Sequence, residues 1–258
     1  MRGVDGEWRR LLGHLSRIVD VYDFMNRVMS LGLDIPARRE FIRRLDELCG
    51  EPRVVLEAGC GPGTLIELML EEGPRYVVGV DPLPEMAEAA RRRLSGRIVD
   101  LVVAVGEHLP VRSGGVDAAV AAFALRDYVD WRRGLAEMAR VSRRCFAVLD
   151  IRRRRGAAFV AQLAWWGVAV PIAAALLARR NPTHYVALAK TIVRWAGVEE
   201  IASEASRYGR VEVETFAGGF AFRLYTLLAP KESGARRDRG QRYTPRHTRG
   251  AGTRRESG

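Results

Sequence analysis

From Arg53 onward, short runs of Val, Ile and Leu alternate with longer stretches in which apolar residues return at helical spacing. Runs of the first kind lie at Val54 to Glu57, Tyr76 to Val80, Leu101 to Ala104, Asp117 to Ala122 and Phe146 to Asp150. Between them, helices are expected to begin near Thr64, Pro84 and Trp131. Strand and helix in strict alternation predict an α/β fold, a mostly parallel sheet flanked by helices. After Asp150 the rhythm breaks into a long apolar insertion, then resumes in two strand-like runs, Arg210 to Phe216 and Phe220 to Leu228, around Ala217-Gly218-Gly219. Those two runs predict an antiparallel hairpin.

The insertion, AAFVAQLAWWGVAVPIAAALLA, has Gln162 as its one strongly polar side chain and is flanked by Arg152 to Arg155 and by Arg179-Arg180. It is long enough to span a bilayer. A span is nevertheless disfavoured, because the chain must return to complete the sheet and Pro171 would break or kink a single helix. Two broken helices forming an apolar lid or tail channel are expected, with a face resting on anionic lipid. Trp165 and Trp166 suit such an interface.

Composition changes the picture in two places. The net charge of +11 suggests a nucleic-acid partner until it is divided along the chain. The segment from Lys231 to Gly258 holds nine basic and three acidic residues, a net +6, with almost nothing apolar to bury. It is expected to stay disordered, and nucleic acid is not the expected partner of the folded part. Arginine supplies all but two of the cations, the exceptions being Lys190 and Lys231, a skew read as genome composition or heat adaptation before any ligand. The cysteines, Cys49, Cys60 and Cys145, are widely spaced without a CxxC, and the four histidines lie far from them. The spacing indicates neither a disulfide framework nor a metal site, and it fits a reducing cytoplasm.

The candidate chemistry lies at the first two strands. Val54 to Glu57 enters the turn Gly59-Cys60-Gly61-Pro62-Gly63, where absent side chains let backbone approach a ligand. About twenty residues on, the strand Tyr76 to Val80 ends on Asp81, whose carboxylate can accept hydrogen bonds from both hydroxyls of a ribose. The competing readings are a structural turn with Asp81 as a helix cap, and a nicotinamide cofactor. The glycines read GxGxG rather than GxGxxG, and Glu57 precedes them directly, which suits a ligand carrying an ammonium group. The constellation points to S-adenosylmethionine (SAM).

At this point the sequence resembles the ubiquinone/menaquinone biosynthesis C-methyltransferase family, within the class I SAM-dependent methyltransferases. The likeness runs from about Arg17 to Leu228 and is carried by Val21-Tyr22-Asp23-Phe24-Met25-Asn26-Arg27-Val28-Met29-Ser30-Leu31-Gly32 and by Phe123-Ala124-Leu125-Arg126-Asp127. Glu107-His108-Leu109-Pro110, the run Tyr185 to Trp195 and Phe216-Ala217-Gly218-Gly219 follow in family order. The resemblance implies a seven-stranded Rossmann-like sheet, SAM as methyl donor and a lipophilic, isoprenoid-tailed quinol as acceptor. It implies one methyltransferase domain over residues 1–230, with an N-terminal helical lid over 1–50, the apolar insertion at 152–196, and the tail 231–258 outside it. Glu57, Gly59, Gly61 and Gly63 would hold the methionine part and Asp81 the ribose, while Val105 and Gly106 would border the adenine. Where the family often has Asp or Asn, Val105 leaves only backbone groups to the adenine amine.

Carbon is the difficult acceptor, because the ring must lose a hydroxyl proton to become nucleophilic. Arg126, which would favour the phenolate, and Asp127, which would receive the proton, are the expected catalytic pair; the alternative is an ordinary loop salt bridge. Tyr22, Asp23, Met25 and Asn26 are read either as a lid over the substrate or, preferably, as helix packing. Other acceptors, a phenolic or small apolar compound, and an RNA-binding role for the basic tail are the alternative functions. Location on the inner face of a membrane, attached peripherally, is expected.

Overall fold

A computed structural model describes residues 2–73, 75–177, 183–216 and 224–230. Three helices come first: α1 (Arg2–Leu15), followed by a 3-10 turn, α2 (Tyr22–Met29) and α3 (Asp34–Cys49). The alternating part follows as β1 (Val54–Ala58), α4 (Thr64–Glu72), β2 (Tyr76–Asp81), α5 (Pro84–Arg93), β3 (Val99–Val103), β4 (Val116–Ala122), α6 (Trp131–Val141) and β5 (Ser142–Ile151). Three of these helices start at the positions the sequence marks, Thr64, Pro84 and Trp131. Beyond β5 come α7 (Ala157–Ala164), α8 (Val170–Leu177), α9 (Thr183–Arg194), α10 (Val198–Ala205) and the strands β6 (Glu212–Phe216) and β7 (Leu224–Pro230).

The sheet has the order β3-β2-β1-β4-β5-β7-β6. β1 to β5 are parallel, and β7 runs antiparallel to both β5 and β6. The last two strands thus pair as expected, although the Ala217-Gly218-Gly219 turn lies outside the described residues. β4 is buried along its full length and carries four alanines, small enough to sit at the centre of a sheet covered on both faces. Helices α1 to α5 close one core with Phe41, Ile42, Leu45, Ile66 and Met69, while α6 and α10 close the other with Leu135, Met138 and Ile201. The connections from β1 lead to one side and β4 lies on the other, so the sheet has its switch point between them, where open α/β sheets bind ligands.

Two expectations are corrected. Cys49 at the end of α3 and Cys145 in β5 form a disulfide, with Cα atoms 5.9 Å apart and a sequence separation of 96. The spacing argument against a disulfide framework failed because the pairing is made by tertiary packing of α3 under the sheet, which one-dimensional spacing does not report. With it goes that argument's support for a reducing compartment. Second, the insertion does not break into two helices: Ala157–Leu177 is continuous. A π-helical turn at Trp165–Ala169 joins α7 to α8, with the Val170 amide donating to Trp165. The widened turn accommodates Pro171, whose ring would otherwise strike the carbonyl one ordinary turn back.

Candidate functional site

The glycine turn after β1 is pinned to β2, since the amides of Gly59 and Cys60 both donate to the Val80 carbonyl, at 2.7 and 3.0 Å. Gly59 has φ +79°, and a Cβ there would lie 2.4 Å from that of Ala124, so neither the conformation nor the space admits a side chain. Asp81 receives the Gly61 amide on one oxygen at 2.8 Å and the Leu83 amide on the other at 2.9 Å. It therefore does fix the turn into α5, as the structural reading had it. Each oxygen has a further lone pair, and Asp81 lines the cavity, so the ribose reading remains open.

Glu57 is 2% exposed, and its Oε2 has no hydrogen-bond partner among the described residues. Burial pushes its carboxyl up to about 8, with Arg38 pulling the other way and Asp81 adding to the rise. Arg38 is the first functional group that sequence reasoning missed. It lies on the buried face of α3 with Ala37, Phe41, Ile42 and Leu45, its guanidinium 3.5 Å from Asp34 and 4.7 Å above the Phe123 ring. An arginine inside an apolar helical stripe was the signal available for it. Phe123 itself has φ +60°, a strained conformation for a side-chain-bearing residue, immediately beyond β4.

The expected catalytic pair lies in the next turn. Arg126 donates to Asp150 at 2.7 Å and stands 3.8 Å from Asp127. Asp150, at the end of β5, is fully buried. Burial works against the Arg126 charge, but Asp127 and Asp150 outweigh it and hold the guanidinium protonated. Burial pushes Asp127 up to about 6 despite Arg126. Tyr22, at the start of α2, is likewise pushed up to about 12 by burial, with Arg126 pulling it down. The N-terminal segment divides: Tyr22 lines the cavity, Met25 is core, and Asp23 ties to Arg93 and Thr64.

One cavity collects most of these groups. Glu57, Gly59, Gly61, Asp81, Val105, Gly106 and Asp127 line it; Gly63, which turns the chain into α4, and Arg126, held by Asp150, do not. Its apolar side comes from Trp8, Leu12 and Leu15, one face of α1. The unsatisfied Glu57 oxygen and the side-chain-free cradle at Gly59 fit a ligand with an ammonium group at one end and a nucleoside at the other.

A doubly wound sheet that presents those features at its switch point, and no phosphate-binding GxGxxG, is that of a class I SAM-dependent methyltransferase. Residues 55–144 match the family described as Methyltransferase domain. The chain is 33% identical over 202 residues to the demethylmenaquinone methyltransferase of Corynebacterium urealyticum, an alignment covering 77% of this chain and 85% of that enzyme. Over 148 residues it is 36% identical to the ubiquinone/menaquinone biosynthesis C-methyltransferase of Citrifermentans bemidjiense, covering 55% of this chain and 62% of that one. A solved SAM-dependent methyltransferase of Thermotoga maritima shares the fold, with TM-score 0.56 and 17% identity over 86% of this chain and 100% of the other. The chain belongs to the demethylmenaquinone methyltransferase family.

Proposed function

We propose that this enzyme methylates a ring carbon of an isoprenoid-tailed quinol, the kind of acceptor named in its relatives. The observation that carries the reading is the single cavity holding the Glu57–Asp81 carboxylates together with Tyr22 and Asp127, beneath an apolar rim. SAM, when bound, supplies a methyl group already activated on a sulfonium. Glu57 would take the ammonium of its methionine part, and Arg38, whose charge acts on Glu57, would take the carboxylate. Asp81 would accept from the ribose hydroxyls, and Val105 and Gly106 would border the adenine.

The protein then has to orient the ring and manage one proton. Arg126, held charged by Asp150 and Asp127 behind the cavity wall, favours the phenolate form of the quinol through its field rather than by contact. Tyr22, kept neutral by burial, orients the ring oxygen. Asp127, raised to about 6, is poised near neutrality to receive the hydroxyl proton as the phenolate forms, and the proton that the methylated ring carbon then sheds restores the hydroxyl. Trp8, Leu12 and Leu15 make α1 a lid that excludes water.

The tail of such a quinol lies in a membrane, and the helix Ala157–Leu177 is built to meet it there. Gln162, Trp166, Val170 and Ala174, spaced four apart, are buried against the domain, while Val160, Val168, Ile172 and Leu176 are exposed. An apolar helix with one face packed and the other bare lies on a bilayer rather than through it, because β6 and β7 still have to return to the sheet. Arg155, 87% exposed just before the helix, is the side chain offered to anionic headgroups on the cytoplasmic face. The deciding experiment is incubation with radiolabelled SAM and demethylmenaquinol in vesicles. Label is expected in a ring methyl, and its absence there with transfer to another phenol would replace the acceptor.

A further inference from the structure

Tyr128 follows the Arg126-Asp127 turn, and its side chain occupies a slot cut by two glycines. A Cβ on Gly106 would lie 2.2 Å from its Cζ and Oη, and a Cβ on Gly134, in α6, would lie 2.5 Å from its Cδ2. No ring could stand there if either position carried a side chain. Glycine within a helix is destabilising by roughly 1 kcal/mol relative to alanine. The backbone on both sides is fixed as well: the Tyr128 amide donates to Leu125 at 3.3 Å, and Glu107 receives the amides of Val129 at 2.8 Å and Asp130 at 3.2 Å.

All this positions a hydroxyl that the protein itself does not use. The Tyr128 oxygen is buried without a hydrogen-bond partner among the described residues. It lies 4.0 Å from where a Gly59 Cβ would stand and against Gly106, between the turn after β1 and the loop after β3, and the residue lines the same cavity as Asp81. An unpaired buried hydroxyl is costly, and a phenylalanine would fill the slot equally well. Val105, next to Gly106 in the chain and lining the same cavity, has no polar side-chain atom to offer a ligand. Burial keeps the phenol neutral, so it remains both donor and acceptor.

We infer that the Tyr128 hydroxyl hydrogen-bonds the nucleoside half of SAM, making Tyr128 a cofactor-binding residue that supplies the polar contact missing at Val105. The inference rests on the SAM site proposed above. It assigns the phenol to the adenosine end, away from the amino-acid end served by Glu57 and Arg38.

The test is Tyr128→Phe in the full chain, titrated calorimetrically with S-adenosylhomocysteine and with 5′-methylthioadenosine, which lacks the amino-acid end. Both ligands are expected to bind about tenfold more weakly, the loss of one hydrogen bond. Tm should stay level or rise, since the variant removes an unpaired buried group. Unchanged affinity for S-adenosylhomocysteine overturns the proposal. So does a loss confined to S-adenosylhomocysteine, which would move the phenol to the amino-acid end. If the parent protein binds neither ligand, the SAM site itself is wrong, an outcome the parent titration separates from failure of the Tyr128 assignment.

Discussion

The two walls of the cavity are built by different means. The cofactor wall comes from consecutive strand ends and their turns, Glu57 to Gly63 and Asp81, in which most contacts are made by backbone within some twenty residues of chain. The acceptor wall is assembled from Tyr22 in α2 and Asp127 after β4, with Arg126 and Asp150 of β5 behind it, groups that meet only because the N-terminal helices fold back over the sheet. The first wall is a local motif that many folds of this class can carry. The second depends on how the covering helices are held, and the groups proposed to meet the acceptor lie there.

The largest test of this contrast is the staple between the walls' supports. The Cys49–Cys145 disulfide closes a loop of nearly a hundred residues between α3 and β5, worth up to about 5 kcal/mol in the chain-entropy account. Cys49→Ala, or reduction, should lower Tm by several degrees or more, and an identical melt with and without reductant would remove the bond from the stability of the protein in solution.

Next in size are the acceptor-wall groups. Asp127→Asn should reduce turnover by roughly a hundredfold while affinity for S-adenosylhomocysteine stays within about twofold. Arg126→Ala is best made with Asp150→Asn, since alone it strands a fully buried carboxylate and destabilises the fold. The pair should likewise lose turnover and keep cofactor binding; equal loss of both would erase the distinction between the walls.

The cofactor wall should announce itself through pH. With Glu57 raised to about 8 in the free enzyme, its carboxyl is largely protonated at neutrality. Binding an ammonium group favours the carboxylate and lowers that value, so binding releases a proton between the two pKa values. Affinity for S-adenosylhomocysteine should therefore rise from pH 6 toward 8, by up to about tenfold per unit, and flatten in Glu57→Gln. A flat profile in the parent would detach Glu57 from the ammonium. The smallest effect is expected at the membrane: Ile172→Asp with Leu176→Glu, both on the exposed face, should reduce sedimentation with anionic vesicles severalfold and leave turnover on a short-tailed soluble quinol intact.

The difference between the walls also explains what could be read before the fold was known. Glu57, Gly59, Gly61 and Asp81 could be singled out because short apolar strand runs and a glycine turn fix their geometry over a short stretch of chain. Arg38 was hidden in a helix whose pattern speaks of core, and Tyr128 was hidden because its meaning depends on Gly106 and Gly134, neither of which is its neighbour in sequence. Arg126 was named correctly as a charged residue beyond β4, but its partner Asp150 was not, because ion pairs across parallel strands leave no periodic trace. The continuous helix through Pro171 was misread for a related reason, since a π turn is chosen by packing around Trp166 rather than by propensity.

By itself, then, the chain determined its alternating elements, the helix starts at Thr64, Pro84 and Trp131, and the glycine turn after β1, all of which follow from near-neighbour sterics and the pattern of apolar runs. Only the tertiary structure decided the Cys49–Cys145 bond, the Arg38–Glu57 and Arg126–Asp150 neighbourhoods and the slot around Tyr128. Those depend on distances between residues far apart in sequence, which are set when two apolar faces meet and exclude water.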